Sequence, residues 1–437
     1  MREFWIKDLS YASEGRKKLD WAEGQMKVLM KIRERFQKEK PLKNQKISAC
    51  LHITKETGVL LKTLVEGGAQ VSLCPSNPLS TQDDVAAALV EEGIKVYGFR
   101  GLSLKEYYEC IGYALLQKPT ITMDDGADLV STLHKIAYDI KGMDVEYVKE
   151  IIGDAGKDLI NGIFGGTEET TTGVIRLRAL ERKGMLKYPI IAVNDAKSKN
   201  LFDNPIGTGQ SALDGILRAT NVLFAGKNVV VVGFGQVGSG IAERARGLGA
   251  KVTVVEVDPI KALKAVMYGF NVDTLSRAAE YGDIFITATG NINVIRGEHF
   301  EKMKDGAILA NAGHMDVEIS KKELEMLAKE KVEVSNLMTL FRMKDGRKIY
   351  LLGDGRLVNL VCAEGHPSEV MDLSFSLQAL CVEFIVKNKD RLERKVLTVP
   401  EDIDKEVAQL KLDTMNITIE KLTEEQKRYL SEWQTGT

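Results

Sequence analysis

The chain is short of the residues that staple or ligate. Its five cysteines (Cys50, Cys74, Cys110, Cys362, Cys381) are odd in number and scattered, with no CxxC pair. That argues against a disulfide framework or a zinc site and fits reduced core thiols in a cytosolic protein. No metal is expected. No stretch reaches the roughly 18 consecutive apolar residues that a membrane-spanning helix needs. The start, Met1-Arg2-Glu3-Phe4-Trp5, lacks a secretory pattern. Neither sign of charge is in excess. The formal net is -2, which argues against a dedicated nucleic-acid binder. Only five histidines occur, so their positions carry information. What remains is 437 residues, 44% of them hydrophobic, ample for two or three domains with real cores.

One stretch organises the rest. Lys227-Asn228-Val229-Val230-Val231-Val232 is a short β-branched run of the kind that buried parallel strands use. It enters Gly233-Phe234-Gly235-Gln236-Val237-Gly238, a helical pattern follows to Leu248, and Gly249 can end it. A second strand, Lys251 to Val255, delivers Glu256. Gly233 permits the tight turn, Gly235 lets backbone approach a pyrophosphate, and Gly238 lets helix and strand pack closely. The free N–H groups and dipole of the helix N-terminus favour a diphosphate. Glu256 is placed to accept hydrogen bonds from a ribose 2′,3′-diol and to repel a 2′-phosphate, so the expected cofactor is NAD and not NADP. A lone glycine triplet also serves ordinary turns. Here strand, triplet, helix, strand and acid fall in order within one βαβ unit.

Residues 1–45 read as helical and charged. A helix from about Ser13 to Lys38 puts Leu19, Ala22, Met26, Leu29 and Ile32 on one apolar stripe. From Ile47 to Met123 strands and helices alternate, which predicts a parallel, doubly wound sheet. Ligands bind beyond the carboxyl ends of such strands. Polar residues stand there: His52 and Thr54, Ser76 and Asn77, Asp124 and Asp125. This half has no phosphate-binding glycine turn and is read as the substrate domain.

Thr167-Glu168-Glu169-Thr170-Thr171-Thr172-Gly173, taken alone, is a capped helix start. Lys199 and Asp203, at i and i+4, share a helix face and in isolation make an ordinary ion pair. His52, His314 and His366 sit at strand exits or crossovers, whereas His134 and His299 lie in helical, charged settings and read as structural. A long apolar helix from Pro367 to about Val386 returns the chain to the first domain. Leu422-Thr423-Glu424-Glu425-Gln426 is a capped helix start in a tail too small to fold alone. The expected fold is α/β, with two doubly wound Rossmann-like domains. The substrate domain takes residues 1–195 and 367–398, the NAD domain 196–366, and an oligomerisation segment 399–437.

These blocks, in this order, resemble the S-adenosyl-L-homocysteine hydrolase family over nearly the full length. The matching stretches are His52-Ile53-Thr54-Lys55-Glu56-Thr57, Asn77 with Ser80-Thr81-Gln82-Asp83, Asp124-Asp125-Gly126 and Glu168-Glu169-Thr170-Thr171-Thr172-Gly173. They continue with Asn194-Asp195, Lys199 with Phe202-Asp203-Asn204, the glycine turn with Glu256, and Asn311-Ala312-Gly313-His314. The last are Gly355-Arg356-Leu357-Val358-Asn359 and Gly365-His366-Pro367-Ser368.

The resemblance implies reversible cleavage of S-adenosylhomocysteine to adenosine and homocysteine by a homotetramer with tightly bound NAD. Oxidation of the ribose 3′-hydroxyl acidifies the 4′-hydrogen. Homocysteine leaves by β-elimination, water adds, and the stored hydride reduces the ketone again. The resemblance assigns the 3′-hydroxyl proton to Lys199 and Asp203, with Lys199 the base. A lysine does this only if its pKa is lowered or its proton relayed. Glu169 is expected at the ribose hydroxyls, Asp125 at the 4′-proton, and His52 at the departing thiolate and entering water. Asn194 and His314 position sugar and nicotinamide. Thr54, Glu56, Thr57, His366 and Met371 complete the substrate set. Thr170, Thr171, Thr172, Asn204, Thr289, Gly290, Asn291, Ala312, Gly313, Asn359 and His366 join Gly233, Gly235, Gln236, Val237, Gly238 and Glu256 at the cofactor. An ionised Glu56 accepts only, so it suits a 6-amino base better than a 6-oxo one. Adenosyl is expected over inosyl, with an S-inosyl-L-homocysteine hydrolase as the alternative.

Three positions depart from the family pattern. Thr208 stands where many members have cysteine, and Ser239 replaces a frequent lysine. The ending at Thr435-Gly436-Thr437 lacks a longer lysine- and tyrosine-bearing tail, as in archaeal and thermophilic members. The rival readings are a conventional NAD-dependent dehydrogenase that releases NADH and a non-catalytic NAD sensor.

Overall fold

The computed structural model describes residues 2–153 and 156–434. Met1 and the ending Thr435-Gly436-Thr437 lie outside them. Two sheets carry the fold. The first has seven parallel strands in the spatial order Val396–Thr398, Ile190–Ala192, Gly165–Glu168, Ile121–Asp124, Lys46–Cys50, Gln70–Cys74, Lys95–Val96. The chain winds one way from Lys46–Cys50 and then the other way from Ile121–Asp124. The order therefore reverses between these two strands, and a crevice opens beyond their carboxyl ends. His52 and Asp125 flank that crevice.

The second sheet has eight strands in the order Ala328–Ser335, Met338–Met343, Lys348–Leu352, Ala307–Asn311, Ile284–Thr287, Asn228–Val232, Lys251–Val255, Asn271–Val272. Its order reverses between Asn228–Val232 and Ile284–Thr287, the strands that deliver the glycine turn and Thr289-Gly290. Val229, Val230 and Val231 are fully buried, as a strand covered on both faces requires. An antiparallel hairpin, Ala328–Ser335 with Met338–Met343, closes one edge.

Three local expectations change. The first helix is two, Ala12–Gln25 and Lys27–Glu39, broken at Met26 with φ -95 and ψ 60. The buried Asp372 carboxylate accepts the freed amides of Val28 at 3.2 Å and Leu29 at 2.9 Å, and the expected apolar stripe stays buried. Second, Thr167 and Glu168 belong to the strand Gly165–Glu168, and the helix begins only at Thr171 with Thr170 as its N-cap. The strand is glycine-rich because helix Ser368–Asn388 lies on it: a Cβ at Gly165 would sit 2.5 Å from Ile385 Cγ2. Third, Lys199 and Asp203 do not share one helix. Lys197–Asn200 is a single α-turn, and Asp203–Gly207 is a π-turn.

The long return helix spans Ser368–Asn388 and packs on the first sheet's core. Helix Glu401–Thr414 buries Val407, and helix Glu424–Ser431 starts on the expected Thr423/Gln426 capping box. Among the described residues, no helix is long and apolar enough to cross a membrane. Among them also, no group of three or more metal-binding side chains converges.

Candidate active site

A cavity of about 600 Å³ lies where the carboxyl ends of the two sheets face each other. The first sheet contributes His52, Thr54, Glu56, Thr57, Asp125 and Glu169 to its wall. The connection between the sheets adds Asn194, Lys199, Asp203 and Asn204, and the second sheet adds Gly235, Gln236, Val237 and His314.

Lys199 is at the centre and is 3% exposed. Its Nζ lies 3.0 Å from Asp203 Oδ1 and 4.0 Å from Glu169 Oε1. It also donates to Asn194 Oδ1 at 3.2 Å and Asn204 Oδ1 at 3.1 Å. Burial pulls the ammonium pKa down, but the charges of Asp203 and Glu169 outweigh it, and the net shift is upward. Of the two routes open to Lys199 as a base, a lowered pKa or a relayed proton, the relay is the one that fits: with two carboxylates beside it, Lys199 is held protonated. Asp203 pays for its own burial through Lys199 and His366, which drive its carboxyl well below the usual range. Its second oxygen lies 3.1 Å from His366 Nδ1, and His366 Nε2 lies 3.0 Å from Thr208 Oγ1. A continuous hydrogen-bonded chain thus runs from Lys199 through Asp203 and His366 to Thr208.

Glu169 is fixed from helix Ser368–Asn388. Ser374 Oγ donates to Oε1, and Gln378 Nε2 donates to Oε2 at 2.5 Å. Burial is the main force raising its pKa to about 7, against Lys199 and with the charges of Asp203 and Asp125. His52 Nε2 lies 3.6 Å from Asp125 Oδ2, and Nδ1 lies 2.7 Å from Ser80 Oγ. Burial above all lowers the His52 pKa to about 4, so the ring is neutral at neutral pH. Glu56 is 2% exposed and accepts from Ser368 Oγ at 2.6 Å, so although it lies in a first helical turn it is sealed from solvent. Thr54 caps helix Lys55–Glu66, and Met371 lines the same end of the cavity.

The second sheet offers a fit for a dinucleotide. Gly233 adopts φ +98, and a Cβ at Gly238 would lie 1.9 Å from the Gly233 carbonyl oxygen. Nothing lies within 4 Å of the Cβ position at Gly235, so backbone is open there to a diphosphate. Thr170, Thr171, Thr172, Thr289, Gly290, Ala312, Gly313 and Asn359 also line the cavity. Asn359 Oδ1 is buried without a partner, an acceptor that a ligand amide can satisfy. Glu256 stands at the strand end but outside the cavity wall. Its oxygens accept from Phe234 N at 2.7 Å, Val257 N at 2.7 Å and Asp258 N at 3.0 Å. Asn291 is exposed and does not line the cavity. His134 and His299 are buried in backbone hydrogen bonds away from the site, as expected.

The family model for S-adenosyl-L-homocysteine hydrolase matches residues 3–437. The chain belongs to the S-adenosyl-L-homocysteine hydrolase family. An adenosylhomocysteinase from Pyrobaculum aerophilum is 60% identical over 100% of both chains. One from Aquifex aeolicus is 58% identical, again over 100% of both. An S-inosyl-L-homocysteine hydrolase from Methanopyrus kandleri is 54% identical over 100% of this chain and 98% of its own.

Several residues at or beneath this cavity escaped sequence reasoning. Ser374 and Gln378 are buried polar positions at i and i+4 on the long return helix, a pairing that was available in the sequence. Ser80 lay in a matched block without an assigned role. Glu318, 1% exposed, accepts from Thr289 N, Thr289 Oγ1 and Gly290 N and so holds the loop beside the glycine turn. No pattern in the sequence marks it.

Proposed function

We propose that the protein reversibly hydrolyses S-adenosylhomocysteine to adenosine and homocysteine, using NAD held at the glycine turn. The observation that carries the reading is the buried Lys199–Asp203 pair in one cavity with the Asp125–His52 pair and the open backbone at Gly235. Gly235, Thr170, Thr171, Thr172 and Asn359 would hold NAD, which would supply reversible hydride acceptance at the ribose 3′-carbon. The remaining steps belong to side chains. Lys199 and Asp203 handle the 3′-hydroxyl proton, with Lys199 as the base and the hydrogen-bonded chain through Asp203 to His366 as the route by which its own proton leaves. Glu169, braced by Ser374 and Gln378, holds the ribose hydroxyls. Asp125 removes the 4′-proton, the C5′–S bond breaks, and the electron pair leaves with sulfur. His52, neutral between Ser80 and Asp125, handles the proton of the thiolate and of the entering water. Asn194 and His314 orient the sugar.

The relatives include enzymes named for adenosyl and for inosyl substrates at similar identity, so the base preference rests on the site. Glu56 is buried and acceptor-only when ionised. Its Oε1 is occupied by Ser368, which leaves Oε2 for a 6-amino group. Adenosine is the expected base. The homotetramer that the family resemblance implies is kept as part of the proposal, and the tail's Ile419, Leu422, Leu430 and Trp433, exposed among the described residues, suit a subunit contact.

Mass spectrometry of the purified protein after denaturation tests the reading, run beside an assay for homocysteine release. Stoichiometric NAD, with hydrolysis, is expected. Protein that never takes up NAD, or hydrolyses without it, would overturn the proposal.

A further inference from the structure

Two doubled acidic pairs, Asp124-Asp125 and Glu168-Glu169, end adjacent parallel strands, with Asp124 and Glu168 in register. In each pair the second carboxylate lines the cavity, and the first is fully buried beneath it. The inner two have no part in the steps above. They grip backbone instead. Asp124 Oδ1 accepts from Asp125 N at 3.0 Å, and Oδ2 from Val130 N at 2.9 Å. Glu168 Oε1 accepts from Gly126 N at 2.8 Å and from Thr170 N at 3.0 Å. One oxygen therefore ties the turn after Asp125 to the turn after Glu169.

The site is cleared for this carboxyl. A Cβ at Gly173 would lie 2.2 Å from Glu168 Cδ and Oε1. Gly126 is held at φ +111, and a Cβ there would lie 2.4 Å from His314 Nε2. The turn that Glu168 holds is thus also the surface on which the second sheet's histidine rests. Glu168 Oε2 is buried without a partner.

We propose that Glu168 is a positioning residue for the elimination step, fixing Asp125 against the sugar's 4′-hydrogen by joining the Gly126 and Thr170 amides. This rests on the reading of Asp125 as the base. The groups facing Glu168 are Asp124 and Asp125 from the neighbouring strand end and the Arg176 guanidinium, which pairs with Asp128 at 2.7 Å. Burial, with the charges of Asp124 and Asp125, pushes the Glu168 carboxyl well above its ordinary value. Both bonds to Glu168 Oε1 come from backbone N–H groups, so the carbonyl oxygen of an amide of the same shape can accept them.

The test separates two half-reactions in NAD-loaded protein. One is the rise in nicotinamide absorbance on adding adenosine. The other is exchange of the 4′-hydrogen with deuterated water. In Glu168→Ala, exchange should slow about a hundredfold, the loss that a displacement of roughly 1 Å brings. The absorbance rise should slow by less than about tenfold and KM should hold, because the Lys199–Asp203 pair and the Ser374 and Gln378 bonds to Glu169 are not made by Glu168. Glu168→Gln should keep both within about tenfold of wild type. Equal slowing of both steps in Glu168→Ala, no slowing, or a Gln variant as slow as Ala overturns the proposal. If Glu168→Ala does not fold, Glu168→Asp serves. One methylene shorter, it cannot span both amides, so the same split should appear more weakly, and its absence counts against the idea. Wild-type protein that shows neither half-reaction sinks the functional reading itself and this proposal with it.

Discussion

In Asp203→Asn, Lys199 loses its nearest counter-charge while remaining sealed from solvent. Its ammonium keeps the Asn194 and Asn204 oxygens at 3.2 and 3.1 Å and Glu169 at 4.0 Å. Removing one partner of a buried pair costs about 3–5 kcal/mol. The new amide still offers an oxygen, so the low end, about 3 kcal/mol, is the expected loss at neutral pH. That corresponds to a melting temperature lower by roughly 6–12 °C, and loss of the Asp203 charge lowers the Lys199 pKa from its raised wild-type position. The pH dependence has a definite sign. In wild type the Lys199 pKa is raised, so its contribution is complete below the unfolded lysine value of about 10.4 and is lost only above it. In the variant Lys199 gives up its proton at lower pH than in wild type, so between the two folded values the variant gains stability relative to wild type as pH rises. The gap between the two proteins should therefore narrow from pH 7 towards about pH 10. Thermal unfolding across that range measures it. The same preparation should bind NAD yet show no rise in nicotinamide absorbance with adenosine. A gap that widens with pH, or a wild-type absorbance rise, refutes the account of this pair.

Three further outcomes follow from the same geometry. Asp125→Asn should oxidise the 3′-hydroxyl but release homocysteine slowly, and rapid solvent exchange of the 4′-hydrogen in that variant would exclude Asp125 as the base. In a competition of S-adenosylhomocysteine with S-inosylhomocysteine, the adenosyl substrate should win by about ten- to a hundredfold, the value of one buried unpaired group; unchanged selectivity in Glu56→Gln would remove Glu56 from base recognition. Titration of NAD-free protein should favour NAD over NADP by a large factor, and equal affinities would show that Glu256 does not face the ribose.

Much of the fold was legible because its signals are local. Val229 to Val232 could only be a buried strand, and the glycines after it could only be a turn. The alternation from Ile47 to Met123 gave the first sheet's winding. The strand Gly165–Glu168 was hidden because its glycines answer to Ile385 and Thr122, side chains distant in sequence. The break at Met26 was hidden for the same reason, since its stabilising carboxylate, Asp372, lies more than three hundred residues on. The wall of the cavity was legible from motif blocks, and the structure brings His52, Asp125, Glu169, Lys199, Asp203 and His314 into it. The protonation state of Lys199 was not legible. It depends on the relative weight of burial and two carboxylates, which only their distances decide. Glu256 shows the limit from the other side: its place at the strand end was foreseen, but its grip on the Phe234 amide was not.

The central claim is that hydride is borrowed and returned within each turnover. It is tested most directly by mixing NAD-loaded protein with S-adenosylhomocysteine and following thiol release and free NADH together. The account predicts many equivalents of homocysteine per bound NAD and no NADH in solution. NADH accumulating in step with an oxidised nucleoside, without free thiol, would contradict it.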